Sequence, residues 1–88
     1  MLKMKKGFVL RKMGEGYIAV AVGAASQAFN GMIRLNESGK FLWEQMETGI
    51  ERDALVQKML EQFDGLDRET AEADLDEFLE SIQVALEV

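Results

Sequence analysis

The sequence predicts an α+β domain: a three-stranded antiparallel sheet followed by a three-helix bundle. Three observations predict it. Up to Leu35, short apolar runs alternate with glycine-containing turn signals. Beyond Glu37, apolar residues recur at i, i+3, i+4 and i+7, the stripe of an amphipathic helix. Between these halves, residues 29–43 read in order as turn, short strand, helix cap and helix. At 88 residues the chain makes one domain with a modest core.

The first strand is expected over residues 7–13. Phe8, Leu10 and Lys12 lie on one face and Val9, Arg11 and Met13 on the other. Gly14-Glu15-Gly16 reads as a three-residue hairpin connection. Residues 17–22 form the second strand, with Ile18, Val20 and Val22 on one face and Tyr17, Ala19 and Ala21 on the other. Residues 23–29 read as a loop. Asn30-Gly31 is a turn dipeptide, because both residue types tolerate positive φ. Met32 to Leu35 is the third strand. Ile33 and Leu35 are assigned to the core face, since Arg34 is costly to bury.

Asn36 is placed to accept from an orphan N–H at a helix start, and Glu37 adds favourable charge in the first turn. The first helix is expected over residues 37–46, with Gly39, Leu42, Trp43 and Met46 as its core stripe. Gly39 costs ~1 kcal/mol against alanine there, which points to close approach of another backbone. Phe41 points away from the stripe, to cover a loop or meet a partner. Thr48-Gly49 ends this helix. The second helix is expected over residues 52–63, with Ile50 and Leu55 at the spacing of a hydrophobic staple. Its apolar face is Leu55, Val56, Met59, Leu60 and Phe63, and Asp64-Gly65 breaks it. Asp67 caps a third helix expected from Arg68 to about Val84. Its core stripe is Ala71, Leu75, Phe78, Leu79, Ile82 and Leu86, and its exposed side is acidic. Residues 85–88 are expected to fray or pack weakly.

Composition removes several function classes. There is no cysteine or histidine, so thiolate chemistry and the usual general base near neutral pH are missing. Asp74, Asp76 and Glu77 read as a solvated helix face rather than a metal or acid pair. Ser26 and Ser38 have no base to activate them. Gly14-Glu15-Gly16 opens no helix and is not a phosphate loop. The longest apolar run is far too short to span a membrane. No signal-peptide pattern follows the early lysines, so a soluble cytoplasmic protein is expected.

Charge is unevenly distributed. Residues 1–40 hold seven basic side chains against two acids, and residues 41–88 hold three against fourteen, within a net charge of −6. Either a basic sheet face and acidic helices attract one another, or the polarity orients a charged partner. Acidic helices argue against a duplex reader, which needs cations on its docking helix.

A three-stranded sheet must have an edge. If the third strand lies there, its unpaired N–H and C=O groups can accept an extended peptide. The third helix would form the other wall of a groove. Met32, with its adaptable side chain, is placed to serve such a groove; alternatively, Met32 and Arg34 only cover the open sheet face.

Residues 7–11 (Gly-Phe-Val-Leu-Arg), residues 29–39 (Phe-Asn-Gly-Met-Ile-Arg-Leu-Asn-Glu-Ser-Gly), Leu42-Trp43 and residues 70–79 together resemble the PqqD-like family, named for the coenzyme PQQ synthesis protein D. The likeness runs from about residue 7 to residue 86, and residues 29–43 are its specific part. The resemblance implies a small winged helix-turn-helix-like fold. It also implies a non-catalytic recognition element for ribosomally made, post-translationally modified peptides, with no cofactor. Such domains take the leader segment of a precursor peptide as an added strand on the third strand, against the third helix. They present the core segment to a modifying enzyme, often a radical S-adenosylmethionine (radical SAM) maturase. Carried over to this chain, the groove comprises Met32, Ile33, Arg34 and Leu35 on the strand and Asp74, Leu75, Phe78 and Ile82 on the helix. The stripe Leu75-Phe78-Ile82 can serve groove or core. PQQ itself is not implied. A winged-helix nucleic-acid binder using residues 3–12 on phosphate, and a structural subunit of a larger complex, are the alternatives. An exposed edge strand is also compatible with a homodimer.

Overall fold

A computed structural model describes residues 1–23 and 31–87. Among these residues, three strands, β1 (Phe8–Met13), β2 (Gly16–Ala21) and β3 (Met32–Leu35), precede three helices, α1 (Glu37–Met46), α2 (Arg52–Gln62) and α3 (Arg68–Ser81). A short 3₁₀ turn, Gln83–Ala85, follows. The sheet is antiparallel in the order β1-β2-β3, so β3 lies at an edge. Most of the expected loop at residues 23–29, and Asn30 of the turn, lie outside the described residues.

Register decides the two faces of the sheet. Phe8 pairs with Ala21, Leu10 with Ala19, Ala19 with Ile33 and Tyr17 with Leu35. Strand alternation puts these residues on one face, and all but Ala21 belong to or pack on the core. The opposite face carries Val9, Val20 and Met32 in one row and Arg11, Ile18 and Arg34 in the next. Ile18 is buried there, while Val9, Met13 and Met32 are exposed. The core side of β2 is thus its small-residue face, and its bulkier β-branched face is the open one. Small side chains in the central strand let the helices approach the sheet closely.

The hairpin is tighter than expected. Met13 pairs with Gly16, leaving only Gly14 and Glu15 as the connection. Gly14 has φ +63° and Glu15 stays out of the left-handed region, the pattern of a II′ turn with glycine first.

Each helix start follows local chemistry. Asn36 accepts from the Gly39 N–H at 2.8 Å and from the Ser38 hydroxyl at 3.0 Å. Asn36→Ala is therefore expected to lower stability by ~1 kcal/mol, the usual worth of such a cap; urea midpoints compared at equal m-value measure it. Asp67 accepts from the Thr70 N–H at 2.7 Å. The hydrogen bonds from Thr70 hold the Asp67 carboxyl below its ordinary 3.8. A carboxylate with a depressed folded pKa contributes stability above its unfolded value, and that contribution disappears as pH falls through the folded value. Asp67→Asn keeps an acceptor oxygen but does not titrate. It is expected to flatten the acid limb below about 3.8, seen as a smaller drop in urea midpoint over that range. The start of α2 has no side-chain cap bond from Glu51.

The core comprises Ala19 and Leu35 from the sheet, Leu42, Trp43 and Met46 from α1, Leu55, Val56 and Met59 from α2, and Ala71 and Leu75 from α3, closed by Met4, Ile82 and Ala85. Phe8 meets Trp43 edge-on, with ring centroids 5.9 Å apart. Phe41 meets Phe63 edge-on at 5.5 Å, so it packs on the end of α2.

The C-terminal end of the chain departs from expectation. The third helix stops at Ser81, before the expected Val84. The residues beyond it are tied down rather than frayed. Ala85 is fully buried, its carbonyl accepts from the Lys5 N–H at 2.7 Å, and the Glu87 N–H donates to the Lys3 carbonyl at 2.8 Å. Leu2 bridges Ile50 and Met4 bridges Leu86. Met4 is thereby buried between lysines that project to solvent. Among the described residues, no helix is long and apolar enough to cross a membrane.

Candidate groove beside the sheet edge

Among the described residues, strand β3 pairs with β2 on one side only. On its other side, alternate N–H and C=O groups of Met32–Leu35 point away from the sheet. A cavity of about 580 Å³ opens beside its C-terminal end. Arg34 and Leu35 line it from the strand, and Asn36, Ser38, Gly39 and Leu42 from the start of α1. Met59, Phe63 and Leu66 supply an apolar end wall, and Asp74, Glu77, Phe78 and Ser81 the far wall on α3.

Gly39 is central to this geometry. An added Cβ would lie 3.2 Å from Asn36 Oδ1, 3.3 Å from Leu35 Cδ2 and 3.3 Å from Phe78 Cε1. The close neighbours are side chains, not the second backbone expected from sequence. The absent side chain lets the Phe78 ring lie against α1 and Leu35, which joins strand, helix start and α3 around the cavity.

The structure sorts the eight residues singled out in the sequence. Arg34, Leu35, Asp74 and Phe78 line one cavity. Met32 is 51% exposed on the open sheet face, and Ile33 is half-buried against the core. Leu75 and Ile82 are each 0% exposed and belong to the core. They support α3 from beneath and do not line the cavity. Helical geometry explains the split: Asp74, Glu77, Phe78 and Ser81 fall on one side of α3, about 100° from Ile82 and Leu75. Sequence reasoning overlooked Glu77, Leu66 and Ser81 as cavity residues. The available signal was the i, i+3 and i+4 relation of Glu77 and Phe78 to Asp74.

Electrostatics distinguishes the acids of α3. Asp76 pairs with Arg52 at 2.8 Å, and Glu72 with Arg68 at 3.5 Å, on the side facing α2. Asp74 and Glu77, on the cavity side, have no ion pair among the described residues, and neither does Arg34. The expected attraction between basic sheet and acidic helices therefore makes no direct ion pair among those residues. The pairs fall within the helical half, apart from one between the N-terminal amine and Glu51 at 4.0 Å. Among the described residues, no three acidic side chains gather to hold a metal ion. The cavity thus combines a strand edge, apolar surface and carboxylates that have no ion pair among the described residues.

Residues 13–85 match the family model described as coenzyme PQQ synthesis protein D (PqqD). A solved structure, TbiB1 in complex with the TbiA(beta) leader peptide, is similar in fold, with TM-score 0.75 and 21% identity over 97% of this chain and 94% of that one. No curated protein matches the sequence.

Proposed function

The chain belongs to the PqqD family, and from that premise we propose that it is a non-catalytic recognition element for the leader segment of a ribosomally made precursor peptide. The single observation that carries the reading is the free edge of β3 beside a cavity whose far wall is α3. An extended leader pairs with the free edge of Met32–Leu35, and its inward side chains enter the cavity. The solved complex of similar fold contains a leader peptide, which supports the same class of ligand here.

In this reading, Met32 and Ile33 contribute mainly backbone hydrogen bonds. Arg34, Leu35, Asp74 and Phe78 contact the peptide with side chains, and Leu75 and Ile82 hold α3 in place. A modifying enzyme, such as a radical SAM maturase, receives the bound precursor, and the meeting takes place in the cytoplasm. No cofactor has a role in the domain itself. Duplex nucleic acid is a poor fit, because α3 is acidic along its exposed side and would meet phosphate with like charge. A second copy could compete for the same strand edge.

The test is a titration of ¹⁵N-labelled protein with the leader of a precursor encoded beside this gene. Amide shifts are expected in β3 and along α3 from Asp74 to Ser81. Saturable binding that leaves both elements unmoved would overturn the proposal.

A further inference from the structure

We propose that this groove selects leaders by charge in a fixed parity: a large apolar anchor, a basic side chain an even number of residues from it, and an acidic side chain an odd number of residues from it. The inference rests on the leader-binding reading and concerns which leaders the site accepts.

The argument begins with strand alternation. A side chain opposite Leu35 on an added strand points to the same side of the sheet as Leu35, toward the cavity. A side chain opposite Arg34 points to the open face with Arg34, because a one-residue step reverses direction. Groove-facing and Arg34-facing leader residues are therefore always separated by an odd number.

The cavity divides the groove side further. Leu42, Met59, Phe63 and Leu66 on one wall and Phe78 on the other make an apolar space for one large side chain. Asp74 and Glu77 stand three residues apart on the cavity side of α3. Strand alternation turns a leader residue an even number of positions from the anchor toward the same side. These carboxylates have no cation among the described residues, whereas Glu72 and Asp76 on the α2 side are already paired. A lysine or arginine at such a position gains the missing partner. Arg34, exposed and also without an ion pair among the described residues, favours aspartate or glutamate on the opposite parity. Like charges at either place meet repulsion, so the same residues exclude other leaders.

The test uses the full chain, immobilised, and a displayed library of random fifteen-residue peptides. It is run in parallel with Arg34→Glu and with the double variant Asp74→Lys/Glu77→Lys. All three positions are exposed, and thermal melts confirm that each variant is folded. The unsubstituted chain is expected to enrich an apolar anchor with basic and acidic columns at even and odd separation. Arg34→Glu is expected to turn only the acidic column basic, and the double variant only the basic column acidic. An enriched peptide, synthesised and labelled, should bind Arg34→Glu about ten-fold more weakly, with most of the loss restored by reversing its acid. An aligned apolar motif without charge columns, or columns unchanged by the variants, overturns the charge parity and leaves leader binding standing. Failure of the folded chain to enrich any aligned extended motif overturns leader binding itself, and the parity with it.

Discussion

Trp43→Ala is expected to lower the unfolding free energy by about 3–5 kcal/mol, the range for removing a large aromatic from a core. Trp43 is 1% exposed, meets Phe8 edge-on and belongs to the cluster that joins sheet and helices. The neighbours have little freedom to fill the space, because they come from separate elements already packed on one another. A chain of 88 residues has a total stability of roughly 4–13 kcal/mol. The variant should therefore populate unfolded molecules measurably at room temperature. Urea titration followed by circular dichroism gives the value. A loss below about 1 kcal/mol would mean that the core does not depend on this residue.

Phe78→Ala is expected to reduce leader affinity by about 2 kcal/mol, close to thirty-fold. The ring is half-buried, lines the cavity and lies against the position where Gly39 lacks a Cβ. In the free protein its truncation exposes part of the Gly39 and Leu35 surface that the ring covers, so a smaller stability loss of about 1–2 kcal/mol is expected. In the complex the same truncation removes one wall of the anchor pocket. Calorimetric titration with the leader, corrected by urea titration for the folded fraction, separates the two effects. An affinity loss no larger than the loss of folded protein would place Phe78 in the core alone.

Most elements were legible because their causes are local. The Met32–Leu35 strand and the Glu37–Met46 helix occur at the expected bounds. Asn36 and Asp67 cap through side-chain oxygens three residues from the amides that they accept from. The apolar periodicities of 2 and 3.6 named the core residues of β3, α1 and α2 without reference to any partner. The groove was legible in part. An edge strand and a following helix could be anticipated, but the assignment of Leu75 and Ile82 to core or groove depends on how α3 is rotated. That rotation is fixed by Ala71, Leu75 and Ile82 packing into the common core, and it carries Asp74, Glu77 and Phe78 to the cavity side.

The C-terminal end was misjudged for the same reason, and its partner, the N-terminal end, carried no structural expectation. Met4 sits among lysines, and the run around it has the local pattern of a solvated tail. It is buried because Met46, more than forty positions away, and Ala85, about eighty away, supply hydrogen-bonding partners to its neighbourhood. No local signal encodes such closure, since its stability comes from surfaces that exist only after folding.

By itself, then, the sequence determined where strands, caps and helices lie, that histidine and cysteine chemistry is missing, and that a third strand precedes an acidic helix. Only the tertiary structure decided which faces of β1 and β2 stay open, which acids of α3 are already paired, and that Leu66 and Glu77 join Arg34 and Phe78 around one cavity. The division has a physical basis. Backbone preferences and side-chain alternation act over a few residues, whereas a groove is the space left between elements after their apolar faces have packed, and its lining follows from the angles at which they meet.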